Sequence, residues 1–191
     1  MLRRLSELFS SKHQPAGYRP GVTLGHVQRN LSGLGFEALD SRRGRFSAAD
    51  GSLHFEVHER TQSELLMHLV VCEFILQVPS SGSGQVRLEV HHTGAMKRAG
   101  IGAKCRSGAC EDLAYGVLHD DALREALMPL DFKRLSIERQ DHQWRVTLEH
   151  MAASEVVNRM PSFRRYIRLD ERQQAALFAC FKHLQRILIN Y

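Results

Sequence analysis

The stretch SELLMHLVVCEFILQV, residues 63–78, constrains the fold more than any other part of the chain. Leu66, Val70, Cys72, Phe74 and Leu76 fall on one side of an extended chain, and Leu65, Met67, Leu69, Val71 and Ile75 fall on the other. Apolar residues on both sides predict a long central strand covered on both faces rather than a sheet edge. A membrane span needs roughly 18 to 20 unbroken apolar residues, and His68, Glu73 and Gln77 interrupt this run. A sheet must therefore be built around this strand, and the neighbouring periodicities say from what.

Val22, Val27, Leu31 and Leu34 recur at helical spacing, with Thr23 as the expected cap and Gly33 or Gly35 as the stop. RFSAADGSLHFEVHER then alternates on either side of Asp50-Gly51, a pair suited to a tight hairpin turn, with Leu53, Phe55 and Val57 inward and His54, Glu56 and His58 outward. After the central strand, PSSGSG reads as a turn and QVRLEVHH as a strand with Val86, Leu88 and Val90 inward. Residues 93–110 read as a mobile basic connection to a helix or broken helix pair ending near Pro129. FKRLSIERQDHQWRVTLEHM predicts a second hairpin, RRYIRL a short strand, and the stripe Leu177, Phe181, Leu184, Leu188 a terminal helix over 170–191.

These elements predict an α+β fold: an antiparallel meander sheet with helices on one face and a C-terminal helix. A shift of about 91 residues aligns helix with helix and hairpin with hairpin, and superposes Leu39-Asp40 on Leu130-Asp131, Asp50 on Asp141 and Ser63-Glu64 on Ser154-Glu155. The expected organisation is a flexible basic segment over 1–20 and one domain over 21–191, readable as two fused helix-plus-hairpin halves, 21–92 and 111–191.

At 191 residues the chain is long enough to bury a core without staples. Four cysteines are too few for a disulfide scaffold, and no secretory leader is read at the start, so the expected setting is a reducing cytoplasm with free thiols. A formal charge of +5 biases the surface toward anionic partners: nucleic acid, a phospholipid surface or an acidic protein.

Three segments, AGYRPGVTL, LMPLDFKRL and PSFRRYIRL, resemble parts of an uncharacterised family of bacterial proteins, with the likeness spread over most of the length. The resemblance implies a bacterial cytoplasmic setting and carries over no activity and no catalytic residue.

The stretch EVHHTGAMKRAGIGAKCRSGACEDL, residues 89–113, collects the chain's most suggestive chemistry. Cys105 and Cys110 have the spacing of half a zinc site with His92 nearby, yet a fourth ligand is missing and Lys97, Arg98, Lys104 and Arg106 would repel a cation. No metal and no cofactor is expected, and the two cysteines are kept as a candidate thiol pair. Its glycines lack phosphate-loop spacing, and Glu111 and Asp112 occupy the first helical turn where a phosphate would bind. His54, Glu56 and His58 are too far apart along a strand to chelate one ion. A second basic group, Arg159, Arg164, Arg165 and Arg168, is interleaved with Phe163 and Tyr166, the composition that neutralises phosphates and stacks rings. No nucleophile elbow, zincin or nucleotide motif occurs.

The reading that follows is a cytoplasmic, non-enzymatic binding or accessory protein that holds an anionic partner through Lys97, Arg98, Lys104, Arg106, Arg159, Arg164, Arg165 and Arg168. The alternative is a small ligand-handling or thiol-dependent enzyme with a site near residues 91–110. A homodimer joined through a sheet edge or the last helix is a third expectation.

Overall fold

The computed structural model describes residues 18–63, 67–94, 98–159 and 162–191. The expected N-terminal segment lies outside the described residues up to position 17. Ten antiparallel strands form one sheet: β1 (Gly35–Ala38), β2 (Arg43–Ser47), β3 (His54–Ser63), β4 (Met67–Pro79), β5 (Val86–Thr93), β6 (Gly100–Ser107), β7 (Phe132–Gln140), β8 (Gln143–His150), β9 (Ser154–Arg159) and β10 (Ser162–Ile167). The helices are α1 (Val22–Asn30), α2 (Glu111–Leu118), α3 (Asp121–Leu127) and α4 (Glu171–Leu188). This is the α+β meander expected from the periodicities.

The sheet runs β1-β2-β3-β4-β8-β7-β5-β6, with β9 on β4 and β10 on β9. The 13-residue strand β4 is its hub. One edge of β4 pairs with β3, and the other pairs with β9 over Met67–Val70 and with β8 over Glu73–Pro79. β8 and β9 are thus one bent path broken at residues 151–153, where Ala153 takes a positive φ of 59° and its amide donates to the Ile167 carbonyl at 2.7 Å.

Helices cover one face of the sheet. Phe55, Val57, Cys72, Phe74, Leu76, Leu88, Leu135, Ile137, Val146 and Leu148 point at Val27, Leu127, Leu177, Phe181 and Leu184 in a single apolar core. Among the described residues no helix lies on the other face, yet Val71 and Ile75 there are only 4% and 1% exposed. The expectation that both sides of β4 are buried therefore holds at its centre and lapses at Met67, which is 38% exposed.

Three expectations are corrected by the structure. Residues 100–107 are not a loop but the edge strand β6, paired with β5 from Arg87↔Ser107 to Thr93↔Gly100. Their alternation is hidden because glycines replace apolar residues: a Cβ on Gly102 would sit 2.7 Å from His91 Nε2, so this glycine makes room for an imidazole rather than a phosphate. Thr23 is not the cap of α1. The N-cap is Gly21, which has no side chain to offer, and Thr23 Oγ1 donates instead to Glu155 at 3.3 Å. Finally, the two-residue turn falls at Asp141-His142 (φ 51° and 59°), whereas β2 and β3 are joined by the longer 48–53 connection around Gly51.

Candidate functional site

Alternation along each strand sends polar side chains to the helix-free face, and the antiparallel registers align them in rows. One row crosses the sheet as Lys104, Glu89, Ser136, Thr147, Ile75, Glu56, Arg45 and Glu37. Beside it runs Arg87, Glu138, Arg145 and Gln77, and on its other side Arg134, Glu149, Glu73, His58 and Arg43.

Glu73 and Glu149 stand directly opposite each other on β4 and β8, both buried. Like charges so placed repel, and burial makes the repulsion costly unless cations answer it. Arg60 and Arg134 both pair with Glu73, while Lys133 Nζ approaches Glu149 at 3.7 Å and Gln62 donates to it at 3.5 Å.

The same pattern recurs across the face. Glu89 is held by Arg106 at 2.5 Å and Arg87 at 3.3 Å, and these bonds, that of Arg106 first, hold its carboxyl below the ordinary range. Glu56 is held by His58 at 2.9 Å and Arg45 at 3.3 Å. Burial pushes the Glu56 carboxyl up, but the bonds from His58 and Arg45 more than reverse it, leaving the group below its usual value. Arg45, His54, Glu56, Ile75, Gln77 and Gln143 line a cleft of about 340 Å³ at this end of the face. At the corner where β4, β9 and β10 meet, the register aligns Met67, Asn158 and Phe163, with Arg165 one row away; Phe163 is 46% exposed.

The basic residues expected to act together are divided by this geometry. Lys97 lies outside the described residues, as does the side chain of Arg159. Arg98 binds Asp131 at 2.5 Å and reaches the Met128 carbonyl at 3.4 Å, tying its loop to the α3–β7 connection. Lys104, Arg106 and Arg165 reach the helix-free face. Arg164 instead neutralises buried Glu155 at 2.9 Å on the helix side, where Tyr166 stacks on His26 and donates to Asn30 Oδ1 at 2.8 Å; Arg168 follows β10, exposed. Two-residue alternation on β10 accounts for the split.

His92 points toward the core, lies against Phe132 with the rings tilted by 30° and meets the Leu127 carbonyl at 3.2 Å, away from a metal role with the cysteines. No group of three or more metal-ligating side chains occurs among the described residues. Cys105 and Cys110 are joined in a disulfide, against the expectation of free thiols, while Cys72 and Cys180 are free and buried.

Sequence reasoning missed two features. Glu59 and Glu155 are buried carboxylates that organise α1: Glu59 accepts from the Gly21 and Leu24 amides at 3.1 and 2.9 Å and from Tyr18 at 2.5 Å. Glu59 sits inward in the alternation of β3, two residues after Val57, and that position was the available signal. The second is the facing pair of buried carboxylates Glu73 and Glu149, which sequence alone leaves as polar positions on β4 and β8.

No curated protein and no solved structure matches the chain. A family model described as Protein of unknown function (DUF3156) matches residues 29–188, which takes in every strand of the sheet and all of α2, α3 and α4. The chain belongs to that family.

Proposed function

We propose that this protein is a non-enzymatic binding or accessory protein of the bacterial cytoplasm that recognises an anionic partner through the helix-free face of its sheet. The observation that carries the reading is the set of cations left over on that face once Glu73 is held by Arg60 and Arg134 and Glu89 by Arg87 and Arg106. Lys104, Arg145 and Arg165 form no ion pair among the described residues and stand on the same face. Guanidinium groups spread over a sheet surface suit phosphate or carboxylate groups, since each presents a fork of donors. The exposed Phe163 and Met67 add an apolar corner next to Arg165.

Binding of this kind is dominated by charge, so its affinity falls steeply with salt. The test measures binding to single-stranded nucleic acid, anionic vesicles and an acidic polypeptide between roughly 50 and 200 mM salt. One of the three is expected to bind with a steep salt dependence, and its identity names the partner class. Absence of binding to all three, or binding indifferent to salt, overturns the proposal.

A further inference from the structure

We infer that the Cys105–Cys110 disulfide is a thiol–disulfide exchange site, opened by a dithiol reductant that attacks Cys105. The inference is independent of the anionic-partner reading. It rests on where the two sulfurs sit.

Cys105 lies on the edge strand β6 and is exposed, whereas Cys110 is 1% exposed and is the N-cap of α2. An incoming thiolate can therefore reach only one sulfur. The other is placed as a leaving group at a helix start, where unpaired amides favour negative charge. No side chain caps those amides, since the N-cap of α2 makes no side-chain hydrogen bond. Glu111 and Asp112 in the first turn act against the thiolate, so the point of attack is set by the exposure of Cys105.

Opening the bond leaves the surrounding fold supported. The Cα atoms are 5.9 Å apart across a sequence separation of 5, so the bridge closes only a short loop. β6 keeps its ladder to β5, and Gly108 holds the loop against β5 through a positive φ of 74°, where a Cβ would meet the Gln85 carbonyl oxygen at 2.1 Å. The other cysteines do not compete for a reductant. Cys72 and Cys180 are fully buried thiols, and burial pushes both up out of the range where a thiolate forms.

The step balances without a metal or cofactor. One thiolate of the dithiol forms a bond to Cys105 Sγ, the Cys105–Cys110 bond breaks, and its electron pair leaves on Cys110 Sγ, which takes a proton from solvent. The second thiol of the reductant then displaces Cys105, and the reductant departs as its own disulfide. Two protein thiols replace one protein disulfide.

The experiment uses the full chain, folded, at neutral pH, with dithiothreitol as the dithiol and iodoacetamide as the trap, read by peptide mass spectrometry. In the folded protein one alkyl group is expected, on Cys105, with the circular dichroism unchanged, and buried Cys110, Cys72 and Cys180 are labelled only after denaturant is added. Single variants then separate the two sulfurs. In Cys110→Ser the remaining Cys105 is expected to form a mixed disulfide with oxidised glutathione at least about tenfold faster than Cys110 does in Cys105→Ser, because only the exposed sulfur is accessible. A bond that resists dithiothreitol until denaturant is added overturns the inference, as does equal reactivity of the two single-cysteine variants. So does a native protein isolated and air-exposed with four free thiols, which would show that the pair does not form.

Discussion

At the scale of single residues, two buried groups govern measurable behaviour. Glu59 supplies from the sheet the cap that α1 lacks in its own sequence, and its loss strands the Gly21 and Leu24 amides and the Tyr18 hydroxyl. Glu59→Ala is expected to lower stability by about 3 kcal/mol in urea unfolding, and Glu59→Gln by about half of that, because an amide oxygen replaces part of the acceptor. Burial, and then the bond to Glu59, push the Tyr18 phenol up. His150 behaves differently. Burial holds its imidazole down at about 4, and the amides of Asp131 and Ala152 lie 2.8 and 3.0 Å from its two ring nitrogens, so the neutral ring accepts from one of them and a second ring proton would face an amide donor. The native ring stays neutral while the unfolded chain takes up a proton below about pH 6.5, so the unfolded state binds more protons in that interval. Stability is therefore full above about pH 6.5 and is expected to fall by about 3 kcal/mol as pH drops toward 4, a loss that a titrationally silent His150→Gln variant does not show. Urea midpoints measured across that interval check it. The inward position of Glu59 on β3 signals its burial, but its partners lie 35 to 41 residues away and could not be read from sequence, and the Asp131 amide reaches His150 from 19 residues away across the β7–β8 hairpin.

At the scale of elements, legibility followed the strength of the local pattern. α4 announces itself through the stripe from Leu177 to Leu188 and begins at a capping box in which Asp170 accepts from the Gln173 amide at 2.7 Å and Gln173 accepts in return at 3.2 Å. Asp170→Ala is expected to cost about 1 kcal/mol and lower the melting temperature accordingly, as read by thermal circular dichroism. β4, β5, β7 and β8 were equally legible, since each carries at least three inward apolar residues. β6 was not, because an edge strand needs few apolar residues and Gly100 and Gly102 leave space for Thr93 and His91 on β5. β9 escaped notice for a related reason: it is six residues long, and its inward Glu155 is neutralised by Arg164 from β10. The 91-residue offset places β2 and β3 on β7 and β8 and sets α1 against α2, but it falls on α3 at β1 and on α4 at β5.

At the scale of the whole molecule, the decisive property is the division of the sheet into a face that carries the helices and a face that carries charge. Under the proposed function, replacing Lys104 and Arg145 by Glu removes two phosphate-neutralising groups from that charged face. The slope of log affinity against log salt for the preferred anionic partner is expected to become shallower by about 2, with the fold intact by circular dichroism. Glu substitutions at Arg168 and Arg172, which lie at and near the start of α4, are expected to leave the slope close to that of the unaltered protein. The sequence by itself determined the fold class, the central strand, most elements and the inward set of apolar residues, because periodicity and apolar content act locally along the chain. Only the tertiary structure decided which cations are consumed by ion pairs and which stand without one on the helix-free face among the described residues. Arg98 and Arg164 are taken up by Asp131 and Glu155, residues 33 and 9 positions away, and Glu73 and Glu149 meet only because β4 pairs with β8. Charge pairing depends on register between strands distant in sequence, and no local pattern encodes that register.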